Sequence, residues 1–590
     1  MSLSPEISTI EGADTFRTVE GSSIRAEMAW LDGPSGVKEQ GTCTEGPPGT
    51  WEAPSSPIQQ YRHERGAGYK LPQICTPILS GRCVAKIPDK GSVPPSEGNE
   101  VRRDGRRGVG AAHSTADAGE PVPWDPVEGR GSRITEPSEG KMTNTSGLEG
   151  VSTKRRRIAE LARKAPEMVL TTLAHHIDMY WLHEAYRLTR KDGASGVDGL
   201  SANEYAENLE ENLRSLLERA KSGTYHAPPV RRVHIPKGRG SETRPLGIPT
   251  FEDKVLQRAV TMVLESVYEE DFYNFSFGFR PGRSAHQALK HLWDGAMSIN
   301  GGWVIDVDIR RFFDTLNRKC LREILSERVR DGVLLRLVGK WLNAGVLEDG
   351  SLTQPKTGTP QGGVISPLLA NIYLHTVFDR WYAEDVAPLL KGRAVVVRYA
   401  DDLVLIFEEE EDARRMMRTL PKRFARFGLA LHPEKTRLVP FRRPRHRDRG
   451  KDLNKRGEPG SFDFLGFTHH WGRSRRGFWV VKQKTAKARL ARTISSIDDW
   501  CRRYRHEPIV EQHRALEQRL RGHYAYFGLT GNSRSLQNVF QAVRRSWRKW
   551  LGRRSGKAKR SWEWYMNLSG YYPLPPPRVV HSVTCNAAKP

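Results

Sequence analysis

Two acidic settings hold the residues most able to do chemistry. Asp401 and Asp402 stand side by side within Val395-Val396-Val397-Arg398-Tyr399-Ala400-Asp401-Asp402-Leu403-Val404-Leu405-Ile406-Phe407. About 90 residues earlier, Trp303-Val304-Ile305-Asp306-Val307-Asp308 is a second apolar run ending in acid. Adjacent carboxylates repel one another, and apolar neighbours make their charges costlier still. A divalent cation is the natural compensation. An Asp-Asp pair alone reads more simply as a solvated hairpin turn; a third carboxylate in a matching context changes that. A strand carrying one Asp beside a hairpin carrying two is what a two-metal nucleotidyl-transfer site needs. One ion lowers the pKa of an attacking 3′-hydroxyl, and the other steadies the leaving pyrophosphate.

The elements that position these acids can be read from apolar periodicity. Short runs of Val, Ile, Leu and Phe flank the acids and predict buried strands, with the 401–402 pair at the turn of a hairpin. Upstream, Val233-His234-Ile235-Pro236, a Gly-rich turn and Thr243-Arg244-Pro245-Leu246 predict a second hairpin, which carries Lys237 and Arg244. Arg grips phosphate oxygens bidentately and Lys adds a point charge, although such a loop alone is more simply a solvated turn. Helical spacing covers 253–270, 368–378 and 411–427, and a helical pattern runs from Lys482 to Phe527 with Leu490, Ile494, Ile497 and Trp500 on one stripe. His175-His176 and His469-His470 have no further ligands at metal spacing and read as structural.

Several longer motifs, in order, resemble the blocks of group II intron-encoded reverse transcriptase/maturases over about residues 150 to 580. They include Ser276-Phe277-Gly278-Phe279-Arg280-Pro281-Gly282-Arg283-Ser284, the two acidic strands with Tyr399-Ala400-Asp401-Asp402, Gly358-Thr359-Pro360-Gln361-Gly362-Gly363, Gly428 to Thr436, and Phe462-Asp463-Phe464-Leu465-Gly466-Phe467. The resemblance implies an α/β right-hand polymerase of fingers, palm and thumb. It implies a helical, basic maturase domain after the thumb and no His-Asn-His nuclease. Asp308, Asp401 and Asp402 would hold two Mg²⁺ ions. Asp308 fits the family spacing to an aromatic five residues on, Phe313; Asp306 is the competing ligand. Lys237, Arg244, Ile309, Phe313, Gln361 and Lys435 would contact the nucleotide, with Phe313 excluding a 2′-hydroxyl unless it is simply core and Phe312 holds that gate. Arg280, Arg283, Arg544, Arg545, Arg548 and Lys549 would contact nucleic acid by charge and stacking. Implied partners are dNTPs, an RNA template, a DNA primer or target, and the parent group II intron RNA, whose splicing the protein would assist and whose mobility (retrohoming) it would support by target-primed reverse transcription. A splicing-only maturase with a vestigial palm, and a diversification or defence reverse transcriptase, are the rival readings.

Charge agrees with a polyanionic partner. The 590 residues carry 94 Lys and Arg against 69 Asp and Glu, net +25. Residues 1–141 hold 16 basic and 20 acidic residues, net −4, so 142–590 carry 78 basic and 49 acidic, net +29. The first stretch is rich in Gly, Pro, Ser and Thr without period. It is expected to be a disordered extension, with Met142 a possible true start. The expected divisions are 1–141 extension, 142–302 N-terminal extension and fingers, 303–475 palm with a basic insertion at 442–460, 476–531 thumb, and 532–590 maturase tail. Six scattered cysteines form no Cys-x-x-Cys pair, which fits a reducing compartment. No apolar run approaches membrane-spanning length and no signal pattern begins the chain, which points to a cytoplasmic protein without a membrane partner.

Overall fold

A computed structural model describes residues 145–236, 243–348, 351–353, 362–444, 460–555 and 561–582. The expected extension at 1–141, Lys237, Gln361 and most of the basic insertion lie outside the described residues. The described part is mixed α/β. Among the described residues no helix is long and apolar enough to cross a membrane.

The N-terminal layer is helical: α1 (Thr145–Lys164), α2 (Met179–Leu188), α3 (Ala202–Glu207) and α4 (Leu209–Ser222). The hairpin β1 (Val230–Pro236) and β2 (Thr243–Ile248) follows, and then α5 (Phe251–Asp271). Unlike an amphipathic surface helix, α5 is buried on nearly every side, so α1 and α2 pack directly on it. Trp181 of α2 is fully buried and donates Nε1–H to the Ala259 carbonyl at 2.9 Å. The Thr250 hydroxyl caps α5 by accepting from Asp253 N. Asp253 itself is buried; burial pushes its carboxyl up to about 6 even though Tyr225, Trp341 and Gln257 donate to it.

The central sheet has the order β6–β7–β3–β8, all antiparallel: β3 (Trp303–Val307), β6 (Ala394–Tyr399), β7 (Asp402–Phe407) and β8 (Arg437–Pro440). Its strands are largely apolar because both faces are covered, with Arg398 of β6 and Asp306 of β3 among the charged exceptions. α6 (Ala285–Ser298) packs against β6, and α7 (Glu410–Arg426) packs against β3 and β7. Gly301 and Gly302 turn the chain into β3 at φ +79° and +124°, where a Cβ would meet the Phe441 and Phe407 carbonyl oxygens at about 2 Å. The predicted 368–378 helix is Ser366–Leu374, continued as wider π-type turns over His375–Arg380 and Tyr382–Val386. β1 and β2 join β4 (Val346–Glu348) and β5 (Ser351–Thr353) in a separate sheet ordered β2–β1–β4–β5.

A third sheet, ordered β11–β10–β9, comprises β9 (Phe462–Phe464), β10 (Phe467–Arg473) and β11 (Trp479–Thr485). The helical reading from Lys482 is therefore corrected. Lys482 to Thr485 are strand, with Val481, Gln483 and Thr485 buried in period two, and α8 begins at Lys487. α8 (Lys487–Arg503), α9 (Ile509–Phe527), α10 (Ser533–Leu551) and α11 (Trp562–Tyr571) form a C-terminal bundle around buried Trp547, whose Nε1 donates to Gln512 Oε1 at 3.0 Å. α10 packs on both α8 and α9, so the division expected at 531/532 falls between helices that share one core.

Candidate active site

β6 and β7 are joined by a two-residue turn, Ala400–Asp401, after the closing pair Tyr399 and Asp402. Ala400 sits at φ +56°, the hand a tight hairpin turn requires and an uncommon one for a residue with a Cβ. The surroundings hold it there. Gly278 lies against the turn so closely that a Cβ would come within 2.3 Å of Ala400 N. Backbone bonds Arg398 N to Phe275 O (2.8 Å) and Phe277 N to Arg398 O (2.9 Å) tie the same loop to β6. Beneath the turn Arg398 is fully buried. Its Nε donates to Asp379 Oδ1 at 2.8 Å, and its Nη1 donates to Asn371 Oδ1 at 2.8 Å and to the Ala400 carbonyl at 3.2 Å. Asn371 completes the ring by donating to the Gly278 carbonyl at 2.7 Å. Burial alone would raise the Asp379 carboxyl; Arg398 and His375 outweigh it and hold that group below the usual carboxylate range.

The register of β3 on β7 pairs Asp306 with Val404, so Asp306 shares a sheet face with Asp402. Asp308 lies one residue beyond β3, where His432 N donates to its carbonyl (2.8 Å) and Thr436 Oγ1 accepts from its N–H (3.3 Å). The two acids have different partners: Lys435 Nζ lies 3.4 Å from Asp308 Oδ2, and Arg437 Nε 3.4 Å from Asp306 Oδ2. A cavity of about 200 Å³ opens here between Asp306, Asp402, Asp463, Leu465 and Gly466.

The charges at this mouth oppose one another. Asp402 is pushed up to about 7, first by the protein crowded around it and then by Asp401, Asp308 and Asp306. Asp401 rises through burial and the nearby Asp308, and burial takes Asp306 to about 6 against the pull of Arg437. Asp402 nonetheless keeps one side open to solvent, and that open side decides whether an ion can reach it. Arg244 reaches across from β2 and is the positive charge that draws both Asp401 and Asp402 down. Among the described residues no three His, Cys, Asp or Glu side chains stand at metal-ligand spacing; the acids share one mouth without forming a closed cage. Crowded carboxylates with so little positive charge suit a divalent cation.

The other predicted residues divide. Arg244 is exposed at the mouth, and Lys435 sits on Asp308. Phe312 is buried and edge-on to Tyr373, whereas Phe313 is only half-buried. The Ile309 side chain is core, and its backbone bridges to Leu431. Arg280 is corrected: it is buried, bound to Glu269 and to the Tyr273 and Ser276 carbonyls, and so holds its own loop instead of meeting template. Arg283 bonds to Asn274 at 3.0 Å. In the tail, Arg548 stacks over Trp562 (4.5 Å), Arg544 packs among Phe540, Trp562 and Tyr565, and Lys549 pairs with Asp498 at 3.1 Å. The interleaved Arg and Trp thus stack within the bundle, and Arg545 alone of the four is exposed without such a contact among the described residues. The Arg398–Asp379–Asn371 ring escaped the sequence reading. Its signal was an arginine inside an apolar strand, which demands an acid somewhere.

Comparison with known proteins follows this geometry. Residues 235–469 match the profile described as reverse transcriptase (RNA-dependent DNA polymerase). The chain is 36% identical over 291 residues to protein YkfC of Escherichia coli (strain K12), covering 43% of this chain and 75% of that protein. It is 34% identical over 283 residues to the group II intron-encoded protein LtrA of Lactococcus lactis subsp. cremoris, 45% of this chain and 46% of LtrA. The chain belongs to the group II intron reverse transcriptase family. Nuclear intron maturase 3 of Arabidopsis thaliana is 32% identical over 131 residues, 22% of the chain and 18% of that protein. The match to LtrA thus spans about half of that relative's length. In this reverse transcriptase the matched region contains the whole carboxylate mouth.

Proposed function

We propose that this reverse transcriptase extends a DNA 3′-hydroxyl on an RNA template at the mouth formed by Asp308, Asp401 and Asp402. The observation that carries the reading is the convergence of carboxylates on one mouth, where burial and neighbouring acids push Asp401 and Asp402 up, with Arg244 as the opposing charge. These three acids would hold two Mg²⁺ ions, which when bound supply activation of the 3′-hydroxyl and charge neutralisation at the leaving pyrophosphate. The remaining work falls to the chain. Arg244, with Lys237 next after β1 in the sequence, binds the triphosphate. Lys435 holds Asp308 in place. The open flank of Phe313 lies under the ribose. Arg398 keeps the acid-bearing turn in its left-handed conformation.

In this reading the β1–β2 sheet is the fingers, the central sheet the palm and the C-terminal bundle a joined thumb and maturase region. RNA template, DNA primer and the parent intron RNA are the partners, with splicing assistance and retrohoming as the biological output. The test is oligo-dT extension on poly-A by the Asp401→Ala variant. Loss by orders of magnitude with intron-RNA binding retained is expected; near-wild-type extension refutes the assignment.

A further inference from the structure

Between Asp463 and Asp498 there is no acidic residue, and eight of the 34 intervening residues are Lys or Arg. The fold concentrates five of these on one hairpin. In β10 and β11 the residues His469, Trp471, Val481 and Gln483 face inward and are buried or nearly so. The pairs His470–Lys482 and Thr468–Lys484 therefore share the outer face. Lys482 lies along that face: a Cβ on Gly472 would come within 2.8 Å of its Cδ, so its stem runs toward the hairpin tip. At the tip Arg473, Arg475 and Arg476 are exposed beside Phe478, itself 59% exposed, with Arg473 over the Trp479 ring at 4.6 Å.

Exposed cations elsewhere on the helices include matched pairs, as in Arg514–Glu511, Arg521–Glu517 and Arg414–Glu410. These five have no carboxylate partner among the described residues. Gathering like charges on neighbouring strands is destabilising unless an anion completes them. Cations set along paired strands and their tip suit a regular phosphate backbone. Its place is also informative. Leu465 and Gly466, at the near end of β10, line the catalytic cavity; the tip lies six residues further along β10, roughly 20 Å away at strand rise.

We propose that the outer face and tip of the β10–β11 hairpin form a second nucleic-acid surface, outside the catalytic mouth, that docks the backbone of a folded RNA helix. The proposal rests on the RNA-binding reading above but not on catalysis, and its test separates the two. The full chain carrying Arg475→Gln, Arg476→Gln, Lys482→Gln and Lys484→Gln is titrated with a short RNA duplex from 50 to 200 mM salt. Each lost phosphate contact lowers the slope of log affinity against log salt by about one. Two or three lost contacts should therefore shrink the affinity drop over that range by roughly 10- to 40-fold. Extension of oligo-dT on poly-A should be unchanged in rate and in KM for the primer–template. Lys482→Arg with Lys484→Arg should retain the wild-type slope. An unchanged slope in the four-site variant, a parallel loss of primer–template affinity, or equal loss for a DNA duplex of the same sequence would overturn the proposal. If extension fails in the wild-type chain while the slope difference persists, catalysis has failed and the surface stands.

Discussion

The β6–β7 hairpin carries two arginine–carboxylate pairs of similar geometry and opposite surroundings, and they should respond differently to truncation. Arg398–Asp379 is wholly buried beneath the Ala400–Asp401 turn. Arg393–Glu408 lies at the other end of the hairpin in solvent, with Arg393 Nε 3.0 Å from Glu408 Oε2. Asp379→Ala leaves the Arg398 guanidinium buried with only Asn371 Oδ1 and the Ala400 carbonyl as acceptors. Breaking a buried pair in this way costs about 3–5 kcal/mol. With an m-value of about 3 kcal/mol/M in urea, the unfolding midpoint should fall by about 1–1.7 M. Glu408→Ala should leave the midpoint unmoved, because its pair is screened by water. The assay is urea unfolding followed by tryptophan fluorescence, with primer extension measured on the same preparations below the transition. Extension should fall for Asp379→Ala even where the protein remains folded, since the Ala400 turn loses the rigidity of its support. If the two variants unfold within about 0.3 M of each other, the claim that the buried ring holds the turn is refuted.

Phe313→Ala should raise ribonucleotide relative to deoxynucleotide incorporation, as read by extension with mixed pools; an unchanged ratio with activity retained would assign the gate to another residue. Acid should destabilise the C-terminal half through two buried histidines, His469 held at about 3 and His523 at about 4 by burial. Their folded values lie below the unfolded value of about 6.5, so neither contributes above that pH. As pH falls below it the unfolded chain takes up protons that the folded chain refuses, and each histidine removes about 2 kcal/mol between pH 7 and 5. His523→Phe should roughly halve the fall in urea midpoint over that range; an identical fall would show that neither ring governs it.

The strands around the acids were legible because they are short apolar runs that end in or adjoin the acids, and period and chemistry pointed the same way. Helices 253–270 and 411–427 were placed to within a residue or two for the same reason. β11 was misread because its buried positions include Gln483 and Thr485, whose polarity hides the period-two pattern from a hydrophobic reading. Arg280 was misread because sequence alone does not say whether an arginine meets a phosphate or the glutamate 11 residues before it. The ring under the turn was out of reach for another reason. Arg398 finds its partners 19 and 27 residues away on a distorted helix, and Asn371 finds its acceptor 93 residues away, so only the folded chain brings them together.

Gly278 deserves a place in any catalogue of what this active site cannot lose, although it offers no functional group. Every substitution there introduces a carbon 2.3 Å from the amide nitrogen of Ala400 and 2.8 Å from the Tyr399 carbonyl carbon, both backbone atoms that no rotamer change can move aside. Any base change at the first or second position of a glycine codon ends glycine. A library of random copies scored for DNA synthesis should therefore rank this empty position beside the aspartates themselves. Its tolerance would be set by the space the turn occupies, and relief would come only from a compensating change in the path of the 399–401 backbone.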